Sequence, residues 1–302
     1  MDPDDTLLDL LTYLKQRDYR FHTVTPSTHA RVLARPAPAA PTLRDVFGWN
    51  RPFAEDQVDG ELLDVMRRAG ILHRHADGAI SALRVASLGE DLFLHSAFPT
   101  DASDAVFFGP DTYRFVRFMA ERWPASARHV VDMGAGSGAG GIAASRLAPA
   151  AAITLVDINA NALRLARLNA LAAAVTAQLR QDRTLPAGAD VVVANPPYMM
   201  DSGRRAYRDG GDLFGGGLAL DWARQALGRL APGGTLLLYT GASVVRGAVP
   251  LAAALQSACA EAHAPCEIEE IDPDVFGEEL EQPAYAEVER IAAIGAVIRV
   301  PG

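Results

Sequence analysis

The sequence predicts a doubly wound α/β fold, a mostly parallel seven-stranded sheet, behind a smaller N-terminal α+β domain that is winged-helix-like. Three observations carry this. From about Val130, apolar runs alternate with longer helical segments, the pattern of a parallel sheet covered on both faces. The first of these runs ends in a glycine turn that opens a helix, VVDMGAGSGAGGI. The first hundred residues instead carry amphipathic segments and a hairpin signal. At 302 residues the chain has about twice the length of a typical ~100–200-residue domain, and 49% hydrophobic content can fill two cores. The expected boundaries are 1–107 and 108–302.

In the N-terminal part, Leu7, Leu8, Leu11 and Leu14 follow helical spacing behind an acidic first turn. A looser stretch with Pro26, Pro36, Pro38 and Pro41 follows. Val58, Leu62, Met66 and Ala69 then share a helical face, and Gly70 suits the helix C-terminus. In ILHRHADGAISALRV, Asp77-Gly78 sits between two apolar-alternating runs, so a hairpin follows the helix. Helix then hairpin is the layout of a winged-helix module. Residues 1–107 carry 11 Lys or Arg against 16 Asp or Glu, however, and the helix holds Glu61 and Asp64 beside Arg67 and Arg68. Substrate docking or dimerisation is therefore preferred to DNA binding for this domain.

In the second part the strands are RHVVDM, AITLVD, ADVVVAN and GTLLLYT, with helices starting near Gly138, Asn159, Gly217 and Val249. CEIEEI and IAAIGAVIRV pair as a terminal hairpin, joined by the acidic DPDVFGEELEQPAYAEVER.

Three motifs carry chemistry. Asp132 ends the first strand, and Gly134, Gly136 and Gly138, interleaved with Ala135 and Ser137, open a helix whose N–H groups can meet a ligand. Alone, such a turn fits many nucleotide sites or none. Asp157, followed by Ile158, ends the next strand about twenty residues beyond the glycines, where a carboxylate suits a ribose diol. The competing role for Asp157 is a cap on the helix beginning at Asn159. The third motif, Asn195-Pro196-Pro197-Tyr198, lies at the C-terminal edge of a sheet strand. Two prolines cannot continue a central strand, so the loop is stiff. Asparagine and tyrosine flanking the prolines are what a mere strand terminator leaves unexplained.

This constellation resembles the class I S-adenosylmethionine-dependent methyltransferases that carry an NPPY motif, and it looks most like the HemK-type glutamine methyltransferases of release factors. The resemblance covers roughly residues 108–302 and implies a Rossmann-like, seven-stranded domain. FFGPDTYRF, with Pro110, Asp111 and Thr112, is similar to the Pro-Asp-Thr segment before the glycine turn in that family. By that resemblance Gly134 to Gly138 cradle the methionine part of S-adenosylmethionine, Asp157 holds the ribose, and Asp182 with Arg183 borders the adenine. Arg183 stands where the family usually has an apolar or aromatic residue. The small helical bundle usual at the N-terminus of that family is replaced here by the hairpin-bearing domain.

The expected reaction is methyl transfer to a planar nitrogen. The lone pair of such a nitrogen is delocalised. If the Asn195 oxygen and the Pro196 carbonyl each accept one N–H, the lone pair localises and points at the methyl group without a strong base. Tyr198 is expected as a ring on which a flat acceptor stacks. The leading acceptor is a glutamine-like amide of a protein. The alternatives are an exocyclic amine of a base in RNA or DNA, a small molecule, and a winged-helix regulator that only senses the cofactor.

Charge bears on that choice. A net charge of -9 and a pI near 5.3 argue against a uniformly basic nucleic-acid clamp. Arg204, Arg205 and Arg208 directly after the motif can contact phosphates, whereas residues 267–302 hold 10 acidic residues against Arg290 and Arg299. If that segment borders the site, it repels a polyanion. Cys259 and Cys266 flank His263 in CAEAHAPC, where a three-ligand metal site is conceivable, but two reduced thiols that need no partner are the preferred reading, so neither redox chemistry nor a metal is expected. The acidic N-terminus and the lack of a ~20-residue apolar run predict a cytoplasmic protein without a membrane partner.

Overall fold

The computed structural model describes residues 2–302 apart from Asp101, Ser202, Arg204 and Ala206. The chain opens with α1 (Pro3–Gln16), α2 (Pro26–Leu33) and α3 (Gly60–Arg68), then β1 (Leu72–His75), β2 (Gly78–Ser81), β3 (Leu83–Leu88) and β4 (Asp91–Ser96). The second half follows as α4 (Pro110–Glu121), β5 (His129–Met133), α5 (Ala139–Leu147), β6 (Ala152–Asp157), α6 (Ala160–Ala172), β7 (Ala177–Gln181), β8 (Val191–Ala194), α7 (Gly217–Arg229), β9 (Thr235–Val244), α8 (Pro250–Glu261), β10 (Cys266–Asp272) and β11 (Arg290–Arg299).

The seven-stranded sheet runs β10-β11-β9-β8-β5-β6-β7, parallel except for β11, which is antiparallel to both β9 and β10. Its sidedness follows from the two-residue period of strands. Val130, Val191, Val193 and Leu237 face a core shared with α4, α5 and α6, whereas Val131, Val192, Leu236 and Leu238 face α7 and α8. Such strands read as unbroken apolar runs because both faces are covered. The edge strand β7, AQLRQ, is the exception: four of its five residues are exposed, so it carries no apolar signature and only the tertiary structure reveals it.

Leu7, Leu11 and Leu14 of α1 pack with Leu62 and Met66 of α3, as the spacing predicts, and Gly70 follows α3 with a φ of 70°. The region departs from the sequence reading in two places. Thr25 caps a helix, α2, inside the stretch read as loose, with Pro26 at its first position. The hairpin is also shorter than read: Ala76-Asp77 joins β1 to β2, with Gly78 already the first residue of β2, and Leu83, Arg84 and Val85 belong to β3, which pairs with β4 as a separate ribbon. The two halves share a core, because Ala162, Leu165 and Leu168 of α6 pack into the N-terminal cluster. Asn169 fastens the joint. Its amide accepts from Leu94 N (2.8 Å) and donates to Leu94 O (3.1 Å) and to Ser137 O (2.9 Å), serving as a strand partner for β4 while touching the glycine turn. Among the described residues no helix is long and apolar enough to cross a membrane.

Candidate functional site

From β5 the chain moves outward to β6 and β7 and then crosses back to β8, on the other side of β5. Such a reversal leaves the strand ends splayed, and doubly wound sheets open a crevice there. A cleft of about 570 Å³ lies at this point.

One end of the cleft is backbone. Gly134 and Gly138 adopt φ of 71° and 82°, a region L side chains rarely enter, and a Cβ on Gly134 would lie 2.4 Å from the Trp222 ring. Ala135, Gly136 and Ser137 line the cleft, while Gly138 sits behind it as the N-cap of α5, against Ala166. Asp157 tethers this turn. Its Oδ2 accepts from Gly136 N at 2.8 Å and its Oδ1 from Asn159 N at 2.9 Å. The cap of α6 is Asn159 itself, whose side chain accepts from Asn161 N, so Asp157 is not the helix cap. Burial pushes the Asp157 carboxyl above its ordinary pKa, against those N–H bonds. Asp132 is more deeply enclosed. Its Oδ2 accepts from Gly141 N at 2.7 Å, and burial, with the nearby Asp157, pushes its pKa up to about 7.

Beyond Asp157, Ile158 is 51% exposed at the cleft edge, an apolar surface that a flat ring can cover. Asp182 and Arg183 stand opposite. The Asp182 carboxylate takes Arg180 and Thr184 N, which hold it below the ordinary range, whereas Arg183 is exposed at the rim. Thr112 lines the floor from the first turn of α4, where its hydroxyl accepts from Gly109 N at 3.3 Å.

At the other end Asn195 and Pro197 line the cleft. Among the described residues the Asn195 amide has no hydrogen-bond partner, so its oxygen is available to a ligand. Pro196 and Tyr198 do not line the cleft, and the expectation of a stacking platform at Tyr198 is corrected. The Tyr198 hydroxyl donates to the buried Asp111, and its ring lies against Gly241. Tyr198 faces inward because a buried carboxylate and a side-chain-free strand position give it a fitted seat.

Several lining residues escaped the sequence reading, Trp222, Phe107 and Tyr207 the bulkiest among them. Trp222 projects from α7 together with Leu218 and Gln225, an i, i+4, i+7 face that helical spacing alone could have flagged. Phe107 comes from the linker before α4. Tyr207 comes from the loop after the motif, its hydroxyl donating to Thr100 O. No local pattern marks the last two. Two arginines of that loop are engaged internally. Arg205 makes a two-pronged pair with Asp201, Arg208 pairs with Glu279 at 2.5 Å, and Arg204 lies outside the described residues. The acidic segment packs on the motif loop: the Tyr285 hydroxyl accepts from Met200 N at 2.9 Å, and Phe276 lies edge-on to Tyr198. Among the described residues no group of three or more His, Cys, Asp or Glu side chains is arranged to hold a metal ion.

Residues 110–243 match the family described as Methyltransferase small domain. The chain is 32% identical over 163 residues to a release factor glutamine methyltransferase of Deinococcus radiodurans, covering 50% of this chain and 55% of that protein. It is 35% identical over 102 residues to ribosomal RNA large subunit methyltransferase G of Vibrio vulnificus, covering 31% and 27%. The chain thus spans about half the length of the release-factor relatives it matches. A crystal structure of Trm5b from Pyrococcus abyssi superposes with a TM-score of 0.52 at 15% identity, over 76% of this chain and 62% of that one, a likeness of fold.

The cleft fits the cofactor of such enzymes. A sulfonium-bearing nucleoside needs close backbone approach, a carboxylate beside a diol and an apolar edge for a base. Gly134, Ala135, Gly136 and Ser137, with Asp157 and Ile158, line the cleft and have these characters. Residues 110–243 thus resemble a methyltransferase small domain, set in a sheet of Rossmann-like fold.

Proposed function

We propose that this protein is an S-adenosylmethionine-dependent N-methyltransferase acting on a planar amide nitrogen, a glutamine-like side chain of a protein. The bound cofactor supplies an electrophilic methyl group on its sulfonium. Gly134–Gly138 and Asp157 hold it at one end of the cleft, with Thr112, Asp132, Ile158, Asp182 and Arg183 around it. Asn195 positions the acceptor. Its unpartnered oxygen accepts an N–H of a primary amide, drawing the nitrogen toward tetrahedral geometry so that its lone pair can face the methyl; the Pro196 carbonyl, expected as the second acceptor, does not line the cleft and would take part only if the loop shifts on binding. The Asn195 contact strengthens as the nitrogen pyramidalises, so it acts on the transition state more than on bound substrate. The proton leaves to water after transfer.

The observation that carries the choice of acceptor is the internal neutralisation of the motif loop. Arg205 and Arg208 are spent on Asp201 and Glu279, and the segment beyond adds exposed Asp274, Glu278, Glu281 and Glu287. A polyanion would meet repulsion there, whereas a peptide would not. The name of the Deinococcus relative agrees, and the ribosomal RNA relative supplies the second reading, an exocyclic base amine. In the preferred reading residues 1–107 dock the protein substrate. Incubating the protein with methyl-labelled S-adenosylmethionine and a cell extract, followed by protease or nuclease, tests this. Label released by protease and resistant to nuclease is expected, and nuclease-sensitive label would overturn the proposed acceptor.

A further inference from the structure

Asp111 is the second residue of α4 and only 3% exposed, yet it carries a carboxylate. Removing a carboxylate from water is costly unless its oxygens are taken up. Both are. Oδ1 accepts the Tyr239 hydroxyl at 2.8 Å, and Oδ2 accepts the Tyr198 hydroxyl. Arg114, one turn on, approaches Oδ1 at 3.4 Å and pairs with Asp272 at 2.9 Å. An apolar pair would fill this space at lower cost, so the arrangement is one that selects geometry.

What the carboxylate fixes is the end of the motif. The Tyr198 ring occupies the space left by Gly241, where a Cβ would come within 2.2 Å of it, and its hydroxyl is pinned by Asp111. Between Tyr198 and Asn195 stand only Pro196 and Pro197, whose φ angles are set by their rings. A position imposed on Tyr198 is thus passed stiffly to Asn195. The residue after Asp111 is Thr112, which lines the cofactor end of the cleft. One helical turn therefore touches both ends.

We propose that Asp111 is a positioning residue that registers the acceptor loop against the cofactor site, by locking Tyr198 and through it Asn195. The proposal rests on the reading of the cleft given above. Backbone hydrogen exchange tests it without any acceptor. In Asp111→Asn, and separately in Tyr198→Phe, exchange across residues 195–201 is expected to quicken by about tenfold or more, with residues 131–141 unchanged. Even quickening across the whole chain would mean a merely structural role, and no change at 195–201 would sink the idea. The second readout is labelled methyl transfer into nuclease-treated extract protein. Initial rates in each variant should fall by about tenfold at saturating extract, with S-adenosylmethionine affinity and half-saturating extract concentration within about twofold. The double variant should lose no more than the worse single one, because both break the same link. Additive losses, or wild-type rates in Asp111→Asn, would overturn the proposal. A wild-type protein that labels nucleic acid instead overturns the proposed acceptor only, and the exchange comparison then decides the role of Asp111.

Discussion

The two ends of the cleft are built on different scales of the chain. At the cofactor end, a turn and the next strand end meet across 21 residues, from Gly136 to Asp157, mostly through backbone N–H groups. At the acceptor end, Tyr198 reaches Asp111 across 87 residues, Met200 reaches Tyr285 across 85, and Tyr207 reaches Thr100 across 107. The first end is close to self-contained. The second exists only once the whole chain has packed, so it can differ between proteins that share the first.

If that division is right, substitutions at one end leave the other standing. The largest effect is expected at Asn195. Asn195→Ala keeps the proline-set backbone and removes only the acceptor oxygen, so turnover should fall by ~100-fold or more at saturating substrate. Radiolabel assays check this, and turnover within threefold of wild type would detach Asn195 from the acceptor.

Asn169 sharpens the comparison, because it ties the N-terminal half to the cofactor turn. Asn169→Ala strands Leu94 N and Leu94 O in a buried joint, which should lower stability by about 2–4 kcal/mol in a denaturant titration. A loss under about 0.5 kcal/mol would show that the two halves do not depend on this amide.

Smaller again is a pH effect confined to the cofactor end. The folded pKa of Asp132, about 7, lies above its unfolded value because burial disfavours the charge. The folded chain then holds a proton that the unfolded chain releases, so stability falls as pH rises from about 4 to 7. Asp132→Asn should flatten that slope in thermal unfolding across this range. An unaltered slope would place the titration elsewhere.

The smallest effect concerns the acceptor end. With Arg205 and Arg208 paired internally, binding of a protein acceptor should weaken little with salt. Affinity measured from 50 to 200 mM salt should change by less than about threefold, whereas a loss of several hundredfold or more would signal a polyanion.

Legibility in the sequence followed the same division. Gly134 to Gly138 and Asp157 could be read because a strand end, a turn and a helix start are local events with fixed spacing. Asn195 could be read because two prolines after an apolar strand admit few conformations. The inward turn of Tyr198 could not, since it depends on a carboxylate from α4 and a glycine on β9. Nor could Phe107 and Tyr207, which reach the cleft from a linker and a loop without periodicity. The same limit hid β7, whose exposed residues lack an apolar stripe, and merged β3 into the preceding hairpin. Arg205 and Arg208 looked like part of a basic patch because their partners, Asp201 and Glu279, stand four to seventy-one residues away and were paired only by folding.

The central claim is that one wall of the cleft binds S-adenosylmethionine while Asn195 acts on the acceptor. Calorimetric titration of S-adenosylmethionine into wild type, Asp157→Ala and Asn195→Ala tests it most directly. Asp157→Ala should weaken binding by ~1.5–3 kcal/mol, through a lost charge-assisted hydrogen bond and a looser glycine turn, while Asn195→Ala stays within about threefold of wild type. An unchanged Kd in Asp157→Ala, or a loss as large in Asn195→Ala, would contradict it.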